Sequence, residues 1–221
     1  MNTAHVSWPS PDPRDELGLV ALDYNLSVER LLSAYRHGIF PWPDSGLFSP
    51  IPWVCPPRRA ILDFDDLHIP KNVRKSQRKL GSMYFTIDRA FREVIQACAT
   101  APRPGQSGTW ITPPMIAAYT DLHQRAQAHS VELWDGPNLV AGLYGVTAGG
   151  IFTGESMFRR IDDGSKLCVL FLIEHLKQRG ATWIDVQQLT PHFEQLGARE
   201  IRRDEFLRRL RADQQANLAL F

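Results

Sequence analysis

Between residues 130 and 187, three strand-like runs follow one another across gaps of turn length, and few architectures accommodate that order. The runs are "SVELW" (130–134), "NLVAGLYGV" (138–146) and "GIFTGESMF" (150–158), with "DGPN" and "AGG" supplying the turns. Two hairpins are the economical reading. An apolar helix is expected from about Ser165 to Arg179, stopped by Gly180, after which "TWIDVQ" (182–187) returns as a strand. A meander followed by helix and strand implies an α/β (α+β) fold, one mixed sheet with helices packed on it.

Upstream, "LSVERLLSAYRHG" reads as a helix with Ser27 as N-cap, Leu31, Ala34 and Tyr35 on one face, and Gly38 as terminator. The stretch "IFPWPDSGLFSPIPWVCPPRR" that follows is rich in proline and aromatics and is expected to be a packed loop or domain junction. Asp88 is read as the cap of a helix whose Phe91, Val94, Ile95, Cys98 and Ala99 make a core face. Thr112 and Pro113 open another helix, with Met115, Tyr119, Leu122 and Ala126 turned inward. A charged helix, "DEFLRRLRADQQ", lies near the end.

A chain of 221 residues can bury an ample core, and a net charge of +1 lacks the general basic excess common in nucleic-acid-binding domains. No apolar run nears the roughly 20 residues of a membrane span, and the start has no basic-then-apolar leader. A soluble cytoplasmic protein with no membrane partner is the expectation. Cys55, Cys98 and Cys168 are odd in number and widely spaced, so they read as reduced buried thiols. The histidines show no metal-ligand spacing, so no metal site is expected, and His129 and His192 read as hydrogen-bonded structural residues.

Three constellations carry polar chemistry. In "TWIDVQ", strand alternation puts Trp183, Asp185 and Gln187 on one face and Ile184 and Val186 on the other. An unpaired carboxylate there is costly, so Asp185 is either satisfied structurally or part of a site that uses two polar groups two residues apart. In "GIFTGESMF", alternation groups Phe152, Gly154, Ser156 and Phe158 against Ile151, Thr153, Glu155 and Met157, unless a glycine introduces a bulge. Read alone, Glu155 is first of all an edge-strand charge reaching solvent. In "HIPKNVRKSQRKL", helical spacing gathers Lys71, Arg74, Lys75, Arg78 and Lys79 into one stripe without interleaved acids. It is either a solvated face or a surface for phosphate backbone. Trp42, Trp53 and Trp110 are candidate domain wedges or base-stacking platforms. Val169, Leu172 and Leu176 share a face of the helix after the meander, which is ordinarily core.

Taken in order, "YRHGIFPWP", "GTWIT", "AYTDLH", "AHSVELW", "LVAGLYGV", "GIFTGESMF", "GSKL", "WIDVQ" and "LGAREI" resemble the leucyl/phenylalanyl-tRNA-protein transferase family, from roughly Leu26 to Leu210. The resemblance implies an N-acyltransferase-like domain, residues 61–221, preceded by a small N-terminal domain, residues 1–60. It implies transfer of Leu, Phe or Met from aminoacyl-tRNA to proteins beginning with Arg or Lys, marking them for N-degron proteolysis. Asp185, Gln187 and Glu155 match the family's catalytic positions, the acid polarising the amide and Glu155 meeting the cationic acceptor. Trp42 and Trp110 match positions near the terminal adenosine. Leu143, Phe152, Met157, Val169, Leu172, Leu176 and Ile184 match the apolar pocket. The stripe Lys71, Arg74, Lys75, Arg78 and Lys79 matches a tRNA surface. A monomer without cofactor is expected, because an aminoacyl ester is already activated. The alternatives are an acyl-CoA-dependent N-acyltransferase of the same fold and a non-catalytic tRNA-binding relative. "RRIDDGSKL" lacks the glycine-rich pyrophosphate loop of the former.

Overall fold

A computed structural model describes residues 7–12, 14–42, 50–102, 109–147 and 150–221. Strand β1 (Leu19–Asp23), helix α1 (Val28–Arg36) and strands β2 (Phe40–Pro41) and β3 (Ile51–Val54) form a small unit, its antiparallel sheet ordered β1-β3-β2. The Ser27 hydroxyl accepts the Arg30 N–H at 3.2 Å, so the expected cap starts α1 and turns Leu31, Ala34 and Tyr35 inward. Gly38, with φ of +73°, makes the reversal into β2 that other residues adopt only under strain. The proline-rich stretch, expected as a packed loop or domain junction, instead holds strands β2 and β3. Proline removes a donor and leaves its carbonyl, and the Pro52 carbonyl still accepts the Trp42 N–H at 2.7 Å. Residues 43–49 of that stretch, and part of the "AGG" turn, lie outside the described residues.

The larger sheet is built from β4 (Arg58–Asp63), β5 (Tyr84–Ile87), β6 (Ala128–Asp135), β7 (Asn138–Thr147), β8 (Phe152–Arg159), β9 (Trp183–Gln187) and β10 (Arg199–Arg202). Their order is β10-β4-β9-β8-β7-β6-β5. The meander β6–β7–β8 forms as the turn signals predict. Every pairing is antiparallel except β8 with β9, which run parallel and share a single registered pair, Thr153 with Asp185. Helices α3 (Phe91–Thr100), α4 (Pro113–Gln124) and α7 (Arg203–Ala216) cover one face, and α5 (Gly164–Lys177) covers the other. Helix α2 (Lys71–Arg78) packs against α5, and the short α6 (Pro191–Glu194) links β9 to β10. No described helix is long and apolar enough to cross a membrane.

Several local expectations change. Tyr144 pairs with Ser156 and Gly145 with Gly154, so Glu155 is the extra residue of a bulge. The bulge breaks strict alternation: Phe152 joins the core under α5 and Phe158 the core under α3 and α4. Asp88 does not cap α3. It adopts φ of +59° and takes the Ser130 N–H and His129 Nδ1, while Glu132 accepts the Ala90 N–H at that helix start. His192 is partly buried, and its Nε2 has no partner, contrary to the expectation for it. Cys55, Cys98 and Cys168 are buried.

Candidate active site

The lone registered pair of β8 and β9 marks where the two parallel strands begin to separate, and the polar residues of both strands gather there. Asp185 is fully buried and satisfied four times. Arg59 of β4 donates Nε to Oδ1 at 2.8 Å and Nη2 to Oδ2 at 2.6 Å, the Thr153 hydroxyl donates to Oδ2 at 3.1 Å, and the Gln187 backbone N–H donates to Oδ1 at 2.9 Å. Arg59 also donates to the Gly38 carbonyl at 3.2 Å and lies between the rings of Phe40 and Phe206, 4.4 and 4.6 Å from their centroids. Burial alone would lower the guanidinium's pKa; the Asp185 carboxylate outweighs it, and the net direction is upward. One side chain thus ties the small sheet, the β9 acid and α7 together.

Gln187 ends β9 with φ of +62°, and the Gln188 N–H bonds the Val186 carbonyl at 2.7 Å across it. A three-residue turn with positive φ at its centre is rare and strained for a non-glycine residue. Its effect is to swing the Gln187 side chain out of the strand's alternation and across the split, where Nε2 donates to Glu155 Oε1 at 2.6 Å. The family resemblance implies that Asp185 polarises this amide. Asp185 instead holds the backbone of Gln187, and the acid at the amide is Glu155.

Tyr35 of α1 donates to Glu155 Oε1 at 2.7 Å, Tyr119 of α4 lies 3.2 Å from Oε2, and the two hydroxyls are 2.6 Å apart. Desolvation, opposed by the two tyrosine hydrogen bonds and reinforced by nearby Asp185, pushes the Glu155 carboxyl up to about 8. Glu155 and Gln187 each keep partial exposure, whereas Asp185 and Arg59 keep none to speak of. A substrate reaching the split therefore meets the first pair, held from behind by the second.

Arg59, Thr153, Tyr35 and Tyr119 were not singled out as functional from sequence. The available signal was a tyrosine on the inward face of each of two helices, since a buried hydroxyl needs a partner. Trp42 is exposed and packs edge-to-face on Phe40, the ring beside Arg59, with centroids 5.9 Å apart. Trp110 is partly buried against the cluster that contains Tyr35 and Tyr119. Leu143, Phe152, Val169, Leu172, Leu176 and Ile184 are buried in one cluster between α5 and the sheet, and Met157 packs against it. Lys71, Arg74, Lys75 and Arg78 lie exposed along α2 with Lys79 at its C-cap, and no ion pair involves them among the described residues. A surface hollow of about 680 Å³ between α3, α4 and the β6–β7 turn contains none of these residues. No group of metal-binding side chains occurs among the described residues.

A mixed sheet whose single parallel pair separates at a buried acid–arginine pair, with an amide and a second acid bridging the gap, defines a mixed α/β protein carrying a small N-terminal sheet. Comparison narrows the class. The family profile "Leucyl/phenylalanyl-tRNA protein transferase" matches residues 61–211, and that of its N-terminal domain matches residues 24–57. Proteins named leucyl/phenylalanyl-tRNA--protein transferase from Maridesulfovibrio salexigens and Oleidesulfovibrio alaskensis are 48% and 46% identical, over 90% and 93% of this chain and 82% and 84% of their own lengths. One from Anaeromyxobacter dehalogenans is 45% identical over 92% of this chain and 86% of its own. The chain belongs to the leucyl/phenylalanyl-tRNA–protein transferase family.

Proposed function

We propose that this chain transfers Leu or Phe, and also Met, from aminoacyl-tRNA to the N-terminal amine of proteins beginning with Arg or Lys. The observation that carries the reading is the Gln187–Glu155 bridge across the separating strands, in a chain of this family. The acceptor amine attacks the ester carbonyl carbon; the C–N bond forms, the bond to the ribose oxygen breaks, and one amine proton ends on that oxygen. Gln187 is not a strong base. With Nε2 given to Glu155, its Oε1 is left to accept a hydrogen bond from the attacking amine and aim the nitrogen lone pair at the ester. The rate gain then comes chiefly from holding two substrates in one geometry. Asp185 and Arg59 are the frame, fixing the strained turn that carries Gln187.

Glu155 recognises the acceptor. A guanidinium or ammonium group entering the site favours the ionised carboxylate, to which the Tyr35 and Tyr119 hydroxyls donate, so binding expels the carboxyl's proton. The donor side chain enters the apolar cluster of Leu143, Phe152, Met157, Val169, Leu172, Leu176 and Ile184. Trp42 and Trp110 stack near the terminal adenosine, and Lys71, Arg74, Lys75, Arg78 and Lys79 meet the tRNA backbone. The protein works as a cytoplasmic monomer, with residues 1–60 as the small domain, and marks its products for N-degron proteolysis. The acyl-CoA alternative finds no support at the start of α5, where Asp163 is held by Asn72 and Ser76 and places an acid where pyrophosphate would sit.

The test is transfer of labelled Leu, Phe and Met from charged tRNA to peptides beginning with Arg, Lys, Asp or Glu. Transfer to Arg and Lys peptides is expected. Transfer to none, with tRNA still bound, contradicts the reading.

A further inference from the structure

The apolar cluster under α5 has two ends. Gly164, at the start of α5, sits beside Ala141 and Arg159, and His175 near the helix's other end shares the Phe221 ring with Phe152 at the start of β8, so the helix runs back along the strand it follows. Val169 therefore lies toward the Glu155 end of the cluster, and His175 and Leu176 lie toward the start of β8, at Phe152. That second end is closed by residues 217–221, which come from beyond α7. Asn217 adopts φ of +47° and donates its N–H to the Asp213 carbonyl, reversing the chain. Leu218 then rests on Gly180. Leu220 is buried, and its carbonyl lies 2.9 Å from His175 Nε2. The Phe221 ring stacks on His129 at 4.0 Å and meets His175 at 5.0 Å and Phe152 at 5.8 Å. His129 is itself fixed by Asp88 at 2.6 Å. The segment is thus anchored by backbone, side-chain and ring contacts rather than laid over the surface.

We infer that Phe221, through its contact with Phe152, forms the far wall of the donor side-chain pocket and sets the size of the amino acid accepted. The inference rests on the proposed aminoacyl transfer and on the assignment of that cluster as the pocket. Phe221 touches no reacting atom in this scheme; it determines specificity by limiting depth. Removing its ring leaves space that a phenylalanyl donor fills better than a leucyl donor, because small differences of apolar volume change relative kcat/KM by about tenfold or more.

The experiment measures kcat/KM for Leu-tRNA and Phe-tRNA with an Arg-starting peptide for the parent, Phe221→Ala, Phe221→Leu and Phe221→Trp. Phe221→Ala is expected to raise the Phe-to-Leu ratio about tenfold, Phe221→Leu to raise it less, and Phe221→Trp to lower it. A purely structural role changes both donors alike and leaves the ratio fixed. If Phe221→Ala does not fold, Phe221→Leu and Phe221→Trp decide by moving the ratio in opposite directions. An active parent with the same ratio in every folded variant overturns this inference alone. A parent that transfers neither amino acid overturns the proposed function and this inference with it.

Discussion

Replacing Arg59 by Met tests the frame of the site. Asp185 has no solvent exposure, and two of its four hydrogen bonds, at 2.8 and 2.6 Å, come from the guanidinium. Met preserves much of the volume between Phe40 and Phe206, so the change is chiefly one of charge. Leaving a buried carboxylate without its cation costs about 3–5 kcal/mol. A domain has about 5–15 kcal/mol in all, so the variant is expected to fold but marginally. Asp185→Asn alone strands the guanidinium, whereas the double variant has no buried charge and recovers part of both losses. Urea unfolding of the four proteins completes a double-mutant cycle, with an expected coupling of about 2 kcal/mol or more. A cost below about 1 kcal/mol, or strictly additive variants, refutes the view that this pair fixes the Gln187 turn.

Glu155 provides a pH signature. Its carboxyl is raised by burial to about 8 from an ordinary 4.5, so between those values the folded state holds the proton more than the unfolded one does. Its contribution to stability therefore falls as pH rises through that window, and urea midpoints of Glu155→Gln are expected to vary less with pH than the parent's. Tyr35→Phe with Tyr119→Phe removes the hydrogen bonds that hold the carboxyl down, so parent binding of Arg-starting peptide, which strengthens toward pH 8, is expected to shift to higher pH in the double variant. Lys75→Gln with Arg78→Gln on exposed α2 is expected to weaken tRNA binding and reduce the slope of log K against log salt by about 2. An unchanged slope removes these residues from the tRNA surface.

The hairpins, α5 and β9 were legible because their signals are local: alternation, turn residues and a terminating glycine at short range. Asp185 and Gln187 were legible as a polar pair on one strand, but the direction of the Gln187 side chain was not. It depends on a left-handed turn in a residue that rarely adopts one. The Glu155 bulge is a property of register against β7, so "GIFTGESMF" alone left two facings open. Arg59, Tyr119 and Tyr35 were hidden for a simpler reason. Their bonds join residues 126, 84 and 120 positions apart, and no spacing rule reaches that far. Asp88 failed as a cap because Ser130 and His129 compete for its oxygens, a tertiary contact that overrides the local preference.

In the proposed transfer the Gln187 amide, set across the split by Glu155 and Asp185, aims the acceptor amine at the ester. Single-turnover transfer by Gln187→Ala, with charged tRNA and an Arg-starting peptide both saturating and tRNA affinity measured in parallel, tests it most directly. Parental tRNA binding with transfer slowed by at least about tenfold is expected, a loss confined to the bound transition state. Transfer at the parental rate would contradict it.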